Sequence, residues 1–327
     1  MKLLGGILLT VRQVRHLGIL LITLGMVLPF GFLLLYAATW TPPPPDPDEL
    51  FADPRPAMVI LEGGRFLMGS PKDETGRYED ETQHEVEVSR FMISLTEVTQ
   101  EQYEEVMGTN PVASLTDDFD ALCSEAGLGG DLPVVCVNWE EALEYCNKLS
   151  VQEGLTPAYE NIGNGRASWN RQANGYRLPT EAEWEFAARA GSQTRWVGTN
   201  EESRVCDYGN FADVSAKELY PEWETLTCDD GFPRLAPAQG QLPNRWLLYG
   251  FGGNALEWVW DTYDESFPSR IEDPVADDPR GSLRVLRGGS WRYVPRNTRV
   301  ANRSRNDPSW RGRVVGFRVA RSFPSAL

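Results

Sequence analysis

Histidine is nearly absent: the chain of 327 residues holds two, His16 and His84. An iron site of two imidazoles and one carboxylate needs both on one surface, and His16 precedes a long apolar run, so that site is excluded. His84 alone would have to act as base in any Ser-His-acid triad, and no Gly-x-Ser-x-Gly elbow accompanies it. Lying beside acids on an alternating segment, it reads as a surface or interface residue. Cysteine is sparse too. None of Cys123, Cys136, Cys146, Cys206 and Cys228 makes a C-x-x-C pair, which removes zinc-ribbon and thioredoxin-like chemistry. No internal repeat is found, and no acid precedes residue 41.

That last absence has a counterpart. Residues 17 to 39 run for 23 positions without a charge, long enough for a helix to span a bilayer, and Pro29 and Gly31 are tolerated in such a helix. Lys2, Arg12 and Arg15 precede the run and a Pro-Asp stretch follows it, so the positive-inside rule places 1–16 in the cytoplasm and the bulk of the chain on the periplasmic or extracellular side. A cleaved signal peptide, with Tyr36-Ala37-Ala38 as a loose cleavage site, is the competing reading. The long basic lead favours the uncleaved anchor, and no lipobox cysteine stands at the boundary. All 47 acids but only 28 of the 31 basic residues follow residue 40, a balance of 28 − 47 = −19. Such a charge disfavours nucleic acid and anionic head groups as partners and leaves room for calcium.

Thirty Gly, 23 Pro and 11 Trp, within 41% hydrophobic content, describe short elements joined by long turns around aromatic anchors. The prolines at 42–47 make a stiff spacer. The expected order is a cytoplasmic N-terminus (1–16), a transmembrane anchor (17–39), a Pro-rich linker (40–56), one α+β domain (57–322) and a tail (323–327). Residues 58–70 read as two strands around a Gly-Gly turn, 84–94 as a third strand and 314–321 as the last. Capping boxes at Thr99/Gln102, Asn138/Glu141 and Thr180/Glu183 open three helices, with Gly108 and Gly191 as stops for the first and last. In an oxidising compartment, proximity in loop-rich sequence pairs Cys123 with Cys136 and Cys206 with Cys228, leaving Cys146 as a buried thiol on the second helix.

A series of segments then accumulates: GGRFLMGS (63–70), HEVEVSRFMISLTEVTQEQYEEVMG (84–108), PVVCVNWEEALEYCNKLS (133–150), NGYRLPTEAEWEFAARAG (174–191), GGNALEWVWD (252–261), RVLRGGSW (284–291) and GFRVA (316–320). Together they resemble the formylglycine-generating enzyme (sulfatase-modifying factor) family over about residues 57–322. The resemblance implies one loop-rich domain related to the C-type lectin fold, bound calcium, and a surface cleft for an extended peptide. In the sulfatase-modifying members, two cysteines shortly after the Gly-Gly-Ser turn bind copper(I), for which soft thiolates are needed. Here Gly288-Gly289-Ser290-Trp291 is followed by Arg292, Tyr293, Val294, Pro295, Arg296, Asn297 and Thr298. Neither cysteine is present, and copper is not expected.

The resemblance also implies calcium ligands. Asn210, the Phe211 carbonyl, Asp230 and the Phe232 carbonyl match one site, and Gly253, Ala255 and Glu257 match part of a second. Gly250 stands where the family has a side-chain oxygen and offers none. Ser290, Trp291 and Arg303 match the ligand cleft, although each has a plainer reading: a turn serine, a core tryptophan, and an arginine paired internally with Asp307 or another acid. The function these features imply is an exported, membrane-anchored, calcium-stabilised module that binds a peptide or protein without copper oxidase activity. The alternative, from a different class, is a sulfatase-modifying oxidoreductase or another modifying enzyme of unidentified chemistry.

Overall fold

The computed structural model describes residues 54–113, 123–267, 270–277 and 283–323. The expected anchor at 17–39, most of the linker and residues 324–327 lie outside them. Among the described residues no helix is long and apolar enough to cross a membrane.

The fold is organised by the strand Leu256–Thr262, all seven of whose residues are buried. Its alternation divides the interior, because successive strand residues point to opposite faces. Leu256, Trp258 and Trp260 enter one apolar cluster, with Trp139, Tyr145, Leu149 and Phe317. Val259 enters the other, with Phe91, Trp184 and Val285. This strand lies within a four-stranded sheet ordered Ser304–Asn306, Arg284–Arg287, Leu256–Thr262, Val315–Phe317; only the last pair is parallel. A second, antiparallel sheet is ordered Met58–Leu61, Phe91–Ser94, Ala320–Ser322, Tyr176–Arg177. Six of the eleven tryptophans, Trp139, Trp184, Trp196, Trp258, Trp260 and Trp291, are among the largest fully buried side chains. The aromatic anchors expected from composition are therefore the core itself, each burying a large apolar area.

All three capping boxes form, with reciprocal side-chain and backbone bonds. Gly108 ends the first helix, Gln100–Met107, in the left-handed conformation. The helix Glu181–Arg189 departs from expectation at its end, where Ala190, ahead of Gly191, is the left-handed cap. Two strand readings are also corrected. Residues 84–94 form two strands in different sheets: His84–Val88 pairs with Gly64–Met68, and Phe91–Ser94 with Met58–Leu61. Residues 314–321 likewise split into Val315–Phe317 and Ala320–Ser322, which join different sheets. Between these two strands Arg318, fully buried, turns inward onto Glu257. The bridges Cys123–Cys136 and Cys206–Cys228 are present, and Cys146 is free and buried on the helix Trp139–Gln152; burial pushes its thiol up, away from the reactive thiolate.

Candidate functional site

The strand Arg284–Arg287 ends at Gly288 and Gly289, with φ of 93° and 81°. At Gly289 a Cβ would stand 2.5 Å from the Thr298 methyl, so both backbone angle and space require glycine. The turn delivers an arginine-rich segment whose guanidinium groups mostly face inward. Arg287 donates to Glu181 and Glu185 at 3.0 and 2.5 Å, and Arg299 holds Glu81 through two bonds of 2.6 Å. Arg303 grips Glu181 at 2.7 and 2.9 Å. Arg287 and Arg303 thus neutralise Glu181 and Glu185 of the helix Glu181–Arg189, every residue of which is buried. Without such pairing, buried carboxylates would be prohibitively costly.

On the outside of this lattice is an open cavity of about 720 Å³, with Tyr78, Tyr263, Tyr293, Asn297, Arg303 and Arg305 in its wall. The Tyr78 hydroxyl donates to Asn297 across it at 2.9 Å, and that of Tyr263 donates to Asp80 at 2.7 Å. Arg305 covers the Tyr263 ring at 4.1 Å. Of the three residues expected at the cleft, Arg303 lines it while its charge is committed to Glu181, the internal pairing of the plainer reading, with Glu181 as the acid. Ser290 and Trp291 are fully buried and form no part of the wall. Trp291 packs against Tyr220 and Trp223, and the Ser290 carbonyl and hydroxyl accept from Tyr293 and Arg292 within the turn. Tyr293 was visible in the sequence as a residue after the turn. Tyr78 and Tyr263 carried no local signal, because they reach the cavity from distant loops. His84 bonds the Thr82 carbonyl through Nδ1 and packs on Phe267 at 4.3 Å.

In the first expected cation set, Asp230 meets the backbone of the loop that carries Asn210 and Phe211. Asp230 accepts from the Phe211 and Phe232 backbone N–H groups at 2.8 and 2.9 Å. Asn210 donates through its amide to Arg234 and Asn254, leaving its Oδ1 buried without a partner. Asp213, outside the expected set, lies beside Asp230: its carboxylate, that of Asp230 and the Cys206 sulfur have ligand atoms within 4.8 Å of one another. Burial, reinforced by Asp213, pushes Asp230 up to about 8. Two neighbouring carboxylates are the donor type that a hard, oxygen-seeking cation such as calcium takes, with roughly six to eight oxygens in all, and here their oxygens accept backbone N–H groups; the sulfur is already used in its disulfide. The second set does not fit in the same way. Both Glu257 oxygens are held by Arg318 at 2.6 and 2.7 Å, one also by the Trp184 indole at 2.9 Å. Glu97 fills the space beside Gly250, its Oε2 buried without a partner. Burial pushes the Glu97 carboxyl up to about 8 against the pull of Arg318.

The sulfatase-modifying factor enzyme 1-like domain family matches residues 45–323. A chaperone protein LppX of Paenibacillus barcinonensis is 30% identical over 81% of this chain and 89% of its own length. The formylglycine-generating enzyme of Streptomyces coelicolor is 31% identical, over 82% and 93%. The inactive C-alpha-formylglycine-generating enzyme 2 of mouse is 29% identical, over 82% and 86%. Among solved structures, Treponema denticola variable protein 1 superposes with a TM-score of 0.66 at 30% identity, covering 81% of this chain and 94% of that one. With the Gly-Gly turn, the capped helices and the split C-terminal strands in place, the chain belongs to the formylglycine-generating enzyme (sulfatase-modifying factor) family.

Proposed function

We propose that this chain is a membrane-anchored, exported member of the family that binds an extended peptide or protein segment in the 720 Å³ cleft, is stabilised by calcium at Asn210, Asp213 and Asp230, and carries out no copper oxidation. One observation carries the reading: Tyr293 and Asn297 form the cleft wall directly after the turn, where the copper enzymes have their thiols. Phenol and amide are hard donors and cannot replace a pair of thiolates on copper(I). The remaining thiols are no substitute, since four are in disulfides and Cys146 is buried. The names borne by the Paenibacillus chaperone and the inactive mouse relative support a family role without this oxidation. The cleft's mix of phenols, amide and both charge signs suits a polypeptide, whose backbone and side chains present matching groups.

The test uses the full chain in two arms. Given copper(I), oxygen and a sulfatase-type Cys-x-Pro-x-Arg peptide, it should leave the cysteine unchanged by mass spectrometry; catalytic aldehyde formation overturns the non-oxidative reading. With photoreactive benzoylphenylalanine replacing Asn297, illumination in cells should yield a discrete polypeptide adduct that is absent when the probe replaces exposed Arg171. Equal labelling from both positions, or none from Asn297, overturns the cleft assignment.

A further inference from the structure

Away from the cleft, the acidic domain gathers positive charge at one place. Arg234, Arg292 and Arg313 converge on Tyr220 and a single carboxylate, Glu125. Arg313 pairs with Glu125, the Tyr220 hydroxyl donates to the same carboxylate at 2.7 Å, and Arg234 lies beside Tyr220 with its Nε buried and without a partner. Arg292 differs from Arg287, Arg299 and Arg303 in the same segment. Its guanidinium lies 5.1 Å from the Trp223 ring centre and 5.7 Å from that of Trp291, and among the described residues it donates to no carboxylate. Burial and the neighbouring Arg313 hold its pKa below the ordinary arginine range.

A half-buried cation over two indoles gains cation–π attraction from its flat face, while the N–H fork at its edge is left unused. The surroundings add to this. Tyr220 and Trp223 stack at 4.0 Å, with an angle of 7° between the rings, and Trp223 is partly exposed, so a flat apolar surface adjoins the fork. Three guanidinium groups against one carboxylate leave a local positive excess on a domain whose charge is otherwise strongly negative. We infer that Arg292, supported by Arg234 and Arg313 on the Tyr220–Trp223 platform, forms an oxyanion-binding site for a carboxylate or phosphate carried on a flat or apolar body.

Planar recognition of an oxyanion by an arginine fork supplies the affinity, and the indole supplies the seat for the attached group. The site does not depend on the cleft being a peptide site, and small probes test it separately. Benzoate, phenyl phosphate and the neutral isostere benzamide are titrated against the full chain in nanodiscs by ligand-observed NMR. At least one anion should bind about tenfold more tightly than benzamide, the effect expected of a charge-assisted hydrogen bond, and the ratio between the two anions identifies the carboxylate or phosphate source. Arg292→Gln should erase the preference while the protein still folds, its melting temperature lowered only by the lost indole contacts, because Glu125 keeps Arg313 as its partner. If that variant fails to fold, Trp223→Leu, at a partly exposed position, should weaken both anions. Equal binding of benzamide, or an anion preference that survives in a folded Arg292→Gln protein, overturns the site.

Discussion

Arg287 is fully buried between Glu181 and Glu185 and also donates to the Val300 carbonyl at 2.8 Å. Replacing it with leucine leaves two buried acids short of positive charge, and breaking a buried pair in this way costs about 3–5 kcal/mol. Arg305→Leu removes only an exposed cation from the Tyr263 face, worth under about 1 kcal/mol. Urea unfolding of the two variants should show this contrast; similar losses would mean that the lattice contributes no more than a surface contact. The lattice also sets a pH dependence. Burial alone would raise Glu185, but Arg189 and then Arg287 outweigh it and hold the carboxyl below its usual range. A depressed acid contributes stability above its unfolded pKa, about 4.3, and loses it as pH falls through the lower folded value. Glu185→Gln should therefore be much less stable than the native chain at pH 7, with the gap between their melting temperatures closing on acidification below pH 4. Little of this was legible from sequence. Ser290 and Arg303 stood out by position, but Arg303 is paired with Glu181, 122 residues away, and no local pattern reports such a partner.

Helices were read correctly wherever their signal was local. Each cap and its reciprocal acid or amide lie three residues apart, so sequence shows the whole device. Strands failed where a long-range partner decided the path, as when Glu257 draws Arg318 into the core and divides the last strand. The loops around Asn210 and Asp230 lie between these cases. Proximity was enough to pair Cys206 with Cys228, but Asp213 became visible only when its carboxylate received the Asp230 N–H at 2.5 Å. Those loops carry their own prediction. Asp230, raised to about 8 chiefly by burial, starts from about 4 in the unfolded chain. A raised acid favours the folded state while protonated, so in chelator stability should fall as pH rises from about 4 to about 8. Calcium binds the ionised form and should remove that slope. Melting curves at pH 5 and pH 8, with and without calcium, should show stabilisation mainly at pH 8, and Asp230→Asn should abolish most of it. A calcium response unchanged in the variant would assign Asp230 a structural role alone.

At the scale of the whole molecule, the proposed export can be tested through charge and redox chemistry together. Under the proposed topology, Lys2, Arg12 and Arg15 before the apolar run would retain the N-terminus in the cytoplasm, with the domain that follows on the other side. The described domain independently carries two disulfides, which persist in oxidising compartments and are scarce in the reducing cytosol. With its buried ion pairs and six core tryptophans the folded domain should resist protease, so cleavage is expected first in the Pro-rich segment that precedes it. Protease added to right-side-out vesicles from the producing cell should release a fragment of about the size of residues 57–322, reactive to a domain antibody. Inside-out vesicles should protect that fragment unless detergent is present. Under non-reducing electrophoresis it should run faster than after reduction, because the two bridges compact the denatured chain. Release from inside-out vesicles alone would reverse the topology. Release of a soluble, unanchored domain without protease would instead favour cleavage after Ala38, and with it a secreted protein.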